Sequence, residues 1–361
     1  MVDEFAALQP LNIADENGVM LPPGYTSRVV AISGETTLET SDYVWHNAPD
    51  GGAVFETADG GWIYVSNSEL SNGNGGVGAI RFDPFGLIID SYSILAGTSR
   101  NCAGGATPWG TWLSCEENQE LGRVFECDPT GTKPALEIPA LGRFNHEAVA
   151  VDPDNALLYL TEDRNDGLFY RFVSDTLTSE GYPNLASGTL EAAHIVDENN
   201  GQIEWRAIPD PQAVSIPTRN QIDQVSTFRG GEGIDYSDGH IYFTTKFDNK
   251  VWDYNVQTQQ ISVFYDATTA PNPLLTGVDN LKVSPLGNIL VAEDGGDMQI
   301  VVLNPSGDLQ PLLQLDGHAN SEITGPALSP DGTRLYFSSQ RGLDGPSDIG
   351  ITFEISRMVS P

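Results

Sequence analysis

Lysine is scarce: of 361 residues only Lys133, Lys246, Lys250 and Lys282 carry an ammonium. With 17 basic against 50 acidic side chains the formal net charge is −33. Such a field repels nucleic acid and anionic membrane surfaces and favours bound cations. Most of this charge is accounted for by a very soluble or salt-adapted surface. Long apolar runs are also missing, so no transmembrane helix is expected. The N-terminal stretch MVDEFAALQPLNIADENG is acidic and lacks the pattern of an export signal. Three cysteines, Cys102, Cys115 and Cys127, are too few for a disulfide scaffold. Cys115 and Cys127 flank a predicted hairpin and could face each other, which leaves Cys102 as the odd thiol. No long amphipathic helical pattern occurs either, which turns attention to strands.

What the chain does contain is a repeat. The unit is a Gly-containing turn, an apolar strand, a Pro/Asp/Gly turn, a strand ending in polar or acidic residues, and a further strand. Its copies are GGAVFETADGGWIYVSNSEL, NCAGGATPWGTWLSCEEN, NHEAVAVDPDNALLYLTEDRN, GGEGIDYSDGHIYFTTKFDN, GVDNLKVSPLGNILVAEDGG and ITGPALSPDGTRLYFSSQRG. Their spacing of about 45 to 50 residues, with several short strands each, is that of propeller blades. The expected fold is therefore all-β, a six-bladed β-propeller formed by residues 1–361 as a single domain. The one long interval, residues 175–228, reads as an insertion rich in Ser, Pro and Asn. The segment TSRVVAI has no hairpin partner nearby and is expected to close the last blade, which removes an exposed sheet edge.

In such a ring the residues before each innermost strand converge at one mouth, together with the ends of each second strand. The first set includes Cys102, His146, Glu147, Glu232 and Asp279. The second includes Glu69, Glu116, Glu117, Glu162, Asp163, Lys246, Glu293, Asp294, Gln340 and Arg341. Solvated strand ends explain any one of these. The whole set places so many like charges in one cavity that cations are needed to keep them ionised. Thiolate is a soft metal ligand and carboxylate a hard one, so a mixed metal site is indicated. Trp45, Trp109 and Trp112 are read as core.

The segment NCAGGATPWGTWLSCEEN resembles the signature of PhoX-type alkaline phosphatases. GRFNHE, RGGEG, VDNL and TGPALSPDG are similar to that family's segments in the same order, so the resemblance runs from about residue 20 to the end. It implies a six-bladed propeller that hydrolyses small-molecule phosphate esters at a cluster of iron (Fe3+) and calcium (Ca2+), with no phosphoenzyme serine. It further implies a monomer in the periplasm or outside the cell. Under it Cys102 is an iron ligand and Glu147 and Glu232 are cluster ligands. Glu69, Glu116, Glu117, Glu293 and Asp294 are further metal candidates. Arg229 is the phosphate clamp, with Arg143, Arg164 and Arg341 as alternatives. Lys246 could act as a point charge on phosphate. His146 is either a neighbour or proton donor at the site, or a core histidine. The chain departs from the family in being short and in reading Arg229-Gly230-Gly231-Glu232, which moves the arginine by one position. Two other readings compete. One is a calcium-dependent propeller lactonase or esterase, in which Cys102 has no role. The other is a metal-binding propeller without catalysis.

Overall fold

The computed structural model describes residue 5, residues 8–343 and residues 348–357. Among these there is no α-helix, and strands form five antiparallel sheets. Pro49–Glu56, Trp62–Ser68, Gly75–Phe82 and Ile88–Thr98 pair in succession, as do Asn101–Ala106, Trp112–Glu116, Val124–Cys127 and Leu136–Glu137. A nine-stranded sheet holds two such successions, one starting at His146–Asp152 and one at Gly231–Ser237, bridged through Gln202–Ala207. The remaining sheets start at Val278–Val283 and Ile323–Leu328. Each starting strand packs on the starting strand of the next succession, and Ile323–Leu328 returns to Pro49–Glu56. The fold is a β-propeller.

Local sequence explains the hairpins between first and second strands. The segments Thr57-Ala58-Asp59-Gly60, Thr107-Pro108-Trp109-Gly110, Ser284-Pro285-Leu286-Gly287 and Ser329-Pro330-Asp331-Gly332 each close a turn. In each the glycine N–H donates to the carbonyl three residues earlier, at 2.8 to 3.1 Å. The glycines there take φ between 70° and 83°, a region that costs other residues energy. Glycine has a second use where the starting strands meet. A Cβ on Gly105 would lie 1.8 Å from the Val149 carbonyl oxygen, and one on Gly233 would lie 2.3 Å from the Leu281 nitrogen. Small residues thus let the strands close round a central channel of about 340 Å³, lined by Gly51, Ala103, Gly104, Ala148, Gly233 and Gly325 among others.

The predicted closing strand is present. Tyr25–Ile32 pairs with Ile351–Arg357, with Tyr25 opposite Arg357. A second closure was not read from sequence: Val19–Met20 pairs with Leu309–Leu315 in the neighbouring sheet. Of residues 175–228, Gly188–Asp197 and Gln202–Ala207 are strands. Gly188–Asp197 is the fourth strand of the succession that begins at His146–Asp152. Cys115 and Cys127 are free thiols. Trp112 lies opposite Cys127 and Cys115 opposite Val124, so the two thiols point to opposite faces of their sheet, into different core clusters.

Removal of residues 1–33 should strip one strand from each of two sheets and take away the packing of Val19, Leu21 and Val30, all buried. At about 1.5–3 kcal/mol for each of these side chains, a large loss of stability is expected. Thermal melting of the truncated protein checks this; an unchanged midpoint would show that closure does not depend on these strands.

Candidate metal centre

Each starting strand carries the same irregularity. Regular pairing stops at Pro49↔Ser68, Asn101↔Glu116, His146↔Glu162, Gly231↔Thr245, Val278↔Glu293 and Thr324↔Ser338. It resumes three residues later on the first strand but only two away on the second, at Gly52↔Ser66 and its equivalents. This is a β-bulge, which re-aims a side chain. The residue re-aimed is in turn Asp50, Cys102, Glu147, Glu232, Asp279 and Gly325. Gly325 supplies no side chain. It sits at φ 61°, and a Cβ there would lie 2.8 Å from the Asp50 carbonyl oxygen.

The re-aimed groups meet. Asp50, Glu69 and Cys102 offer ligand atoms within 4.8 Å of one another, and so do Glu147, Glu232 and Asp279. The Cys102 Sγ is 3.5 Å from Asp50 Oδ2. Gln340 Nε2 donates to Asp50 Oδ2 at 2.6 Å and to Glu69 Oε2 at 3.0 Å. Both carboxyl oxygens of Glu147 are buried without a hydrogen-bond partner among the described residues. A buried group of that kind is costly unless something else binds it. Three cations border the clusters. Arg100 pairs with Glu69 and Glu117, Lys246 Nζ lies 2.7 Å from both Asp163 and Glu232, and Arg341 pairs with Glu322. The first group mixes a soft sulfur with hard oxygens, and the second is an all-oxygen set of the kind that hard cations take.

The family model described as alkaline phosphatase PhoX matches residues 88–122 and 119–262. The chain belongs to the PhoX family. No curated protein matches it. Among solved structures, PhoX of Pseudomonas fluorescens, in complex with vanadate as a transition-state analogue, is 16% identical, with 97% of each chain covered and a TM-score of 0.77. A gluconolactonase of Xanthomonas campestris is 10% identical over 98% of this chain and 99% of that one, at a TM-score of 0.54. At these identities the likeness is one of fold.

Within this PhoX-family propeller the strand-end acids divide by parity, because successive side chains of a strand face opposite ways. Glu117 and Glu69 reach the mouth, and Asp294 lies close enough to raise the Asp279 pKa. Glu116 and Glu293 do not reach it. Glu116 is fully buried, binds Arg123 through both oxygens and accepts the Ser99 N–H at 2.8 Å. Glu293 accepts the N–H groups of Thr276 and Gln299. Both brace loops. His146 is buried, its ring tilted against that of Phe144, with Nε2 donating to the Gly142 carbonyl at 3.1 Å. Burial pushes its pKa down to about 3, so the ring is neutral at physiological pH. Arg229 is exposed at the rim and donates to Asn165 Oδ1. Arg143 and Arg164 pair with Glu137 and Glu120. The residues missed in sequence are Asp50, Arg100 and Glu322, with Asp279 and Gln340 placed at the mouth but not chosen. Laying the copies on the bulge register would have put Asp50 and Asp279 beside Cys102.

Burial, and then the carboxylates of Asp50, Glu147 and Glu69, push the Cys102 thiol up. Burial and then Asp279 and Glu117 raise Glu147. Burial with Asp294 brings Asp279 to about 7, and burial with Glu69 brings Glu117 to about 7 against the pull of Arg100. Protons and metals therefore compete for this site.

Two predictions follow from the parity and the charge. Glu116→Ala should cost about 3–5 kcal/mol of stability by stranding the Arg123 pair, and leave metal content unchanged, whereas Glu117→Gln should lower metal content. Elemental analysis beside denaturant melts separates these effects. In the metal-free protein the folded pKa values near 7 exceed those of the unfolded chain, near 4. The folded state thus binds more protons, and stability should fall as pH rises from about 4.5 to 7. Metal-loaded protein should show the opposite slope, which melting across that range reads directly.

Proposed function

We propose that this chain is a metal-dependent phosphoric ester hydrolase, a PhoX-like alkaline phosphatase. In this reading residues 1–361 form one six-bladed propeller whose mouth holds iron and calcium, the protein is a monomer, and it works in the periplasm or outside the cell. The extra elements of residues 175–228 are where substrate-specific loops would sit. The observation that supports it most is the mouth itself: two adjoining ligand groups, one with the thiol of Cys102, around a Glu147 whose oxygens have no other partner. No helix among the described residues is long and apolar enough to cross a membrane.

Cys102 with Asp50 and Glu69 would hold iron, and Glu147, Glu232 and Asp279 would hold calcium. Bound metals supply Lewis acidity and neutralise charge on the equatorial phosphate oxygens. The protein's own part is orientation and charge. Gln340 fixes the carboxylates of Asp50 and Glu69 by one amide. Lys246, held between Asp163 and Glu232, pulls against the burial that raises the Glu232 carboxyl, and lies within the mouth as a point charge for a phosphate oxygen. Arg229 would reach a substrate only by leaving Asn165, and then as a rim contact; Arg341 is nearer the clusters. A neutral His146 does not donate a proton at physiological pH, so its part is to seat the strand that aims Glu147.

Protein purified without chelator should contain both iron and calcium and hydrolyse phosphomonoesters at neutral to alkaline pH. Cys102→Ser should lose iron, and Glu232→Ala should lose activity by at least about 100-fold. Calcium alone, with turnover of a lactone and not of a phosphate ester, would instead support the lactonase reading.

A further inference from the structure

The residue opposite each bulge is Asn67, Cys115, Thr161, Thr244, Ala292 or Phe337, and three of these are polar and buried. The polar three do one thing. Each reaches across to the next starting strand and binds the backbone carbonyl of its re-aimed residue. Asn67 Nδ2 donates to the carbonyls of Cys102 at 3.1 Å and Ala103 at 2.7 Å. The Thr161 hydroxyl donates to the Glu232 carbonyl at 2.6 Å, and the Thr244 hydroxyl donates to the Asp279 carbonyl at 2.6 Å. The threonines also touch their own bulges. Thr161 Oγ1 accepts the Ala148 N–H at 3.2 Å, and Thr244 Oγ1 lies 3.3 Å from the Gly233 carbonyl.

One hydroxyl thus joins the backbone beside Glu147 to that of Glu232, and the next joins the backbone beside Glu232 to that of Asp279. These three carboxylates are the all-oxygen ligand group. A bulge leaves its extra residue outside the ladder, so nothing in the sheet pairing fixes where that side chain is aimed. A hydrogen bond to its carbonyl does. Where the opposite residue is apolar the tie comes from elsewhere or is missing: Gly325 N–H donates to Asn280 Oδ1 at 2.7 Å, and the Thr324 hydroxyl donates to the Pro49 carbonyl at 2.9 Å.

We propose that Thr161 and Thr244 are positioning residues that set the spacing of Glu147, Glu232 and Asp279 for a shared divalent cation. This rests on the metal reading above. Outer-shell partners of metal ligands are typically worth 10–100-fold in affinity. Thr161→Val and Thr244→Val keep the shape of the side chain and remove the hydroxyl; Thr161→Ser and Thr244→Ser keep the hydroxyl.

The test is calorimetric titration of chelator-stripped protein with calcium alone, with the melting shift on calcium addition as second readout. Each Val variant should bind calcium about 10–100-fold more weakly and show a smaller melting shift, and each Ser variant should restore both. The two sites are tested separately, so either folded Val variant decides. Val variants that melt lower without calcium yet bind it as the wild type does would overturn the proposal, since that is the behaviour of a purely structural hydroxyl. A wild-type protein that takes up no calcium would overturn the metal reading itself, and the proposal with it.

Discussion

The site depends on one irregularity repeated round a ring. A regular antiparallel ladder would point every second side chain of the starting strands into the channel and the others into the sheet packing. The bulge adds a residue near the start of each strand and leaves it unpaired, free to face the mouth. Because the ring is closed by direct strand contact, these extra residues come together although they are dozens of residues apart in sequence. Glycine and alanine on the channel side are the condition for that approach. With larger side chains there, the ligand atoms of Asp50, Glu69 and Cys102 could not lie within 4.8 Å of one another.

Concentrating acids in this way is unfavourable in isolation. Burial raises every one of the re-aimed carboxyls, and neighbouring charges raise them further. The fold offsets part of this with Arg100, Lys246 and Arg341. Arg100 pairs with Glu69 and Glu117, Lys246 with Asp163 and Glu232, and Arg341 with Glu322, and none of the three pairs with Glu147 at the centre. The partnerless oxygens of Glu147 are what remains after the protein's own cations are used.

Much of this was readable from residues. The turn segments with a terminal glycine, the alternation of the second strands and the repeat spacing gave the propeller, and the strand ends gave Cys102, Glu147, Glu232, Glu69, Glu117 and Lys246 at one mouth. What was not readable depends on a one-residue offset. Glu116 and Glu117 are equivalent as letters, yet one braces Arg123 and the other reaches the mouth, because parity along a strand is set by pairing. Asp50 was hidden for a related reason. It follows Pro49 in a segment without other chemical markers, and only the bulge register equates it with Cys102. Arg100 lies in the turn between two sheets, where its role is set by tertiary packing. The closure through Val19–Met20 involves two residues, too short a run to show a period.

The pairing of Tyr25 with Arg357 has a kinetic consequence. Among the described residues the ladder with the greatest sequence separation joins nearly the first strand to the last, and such contacts form slowly because loop closure must precede them. A ribosome adding about 5–20 residues per second leaves Tyr25–Ile32 without its partner strand for most of synthesis. The sheet completed by this ladder meets the first succession at a seam where Gly325 lies against Asp50. The mouth therefore reaches its final geometry in the last step of folding, and a cation that bridges the seam would be captured by a nearly finished ring.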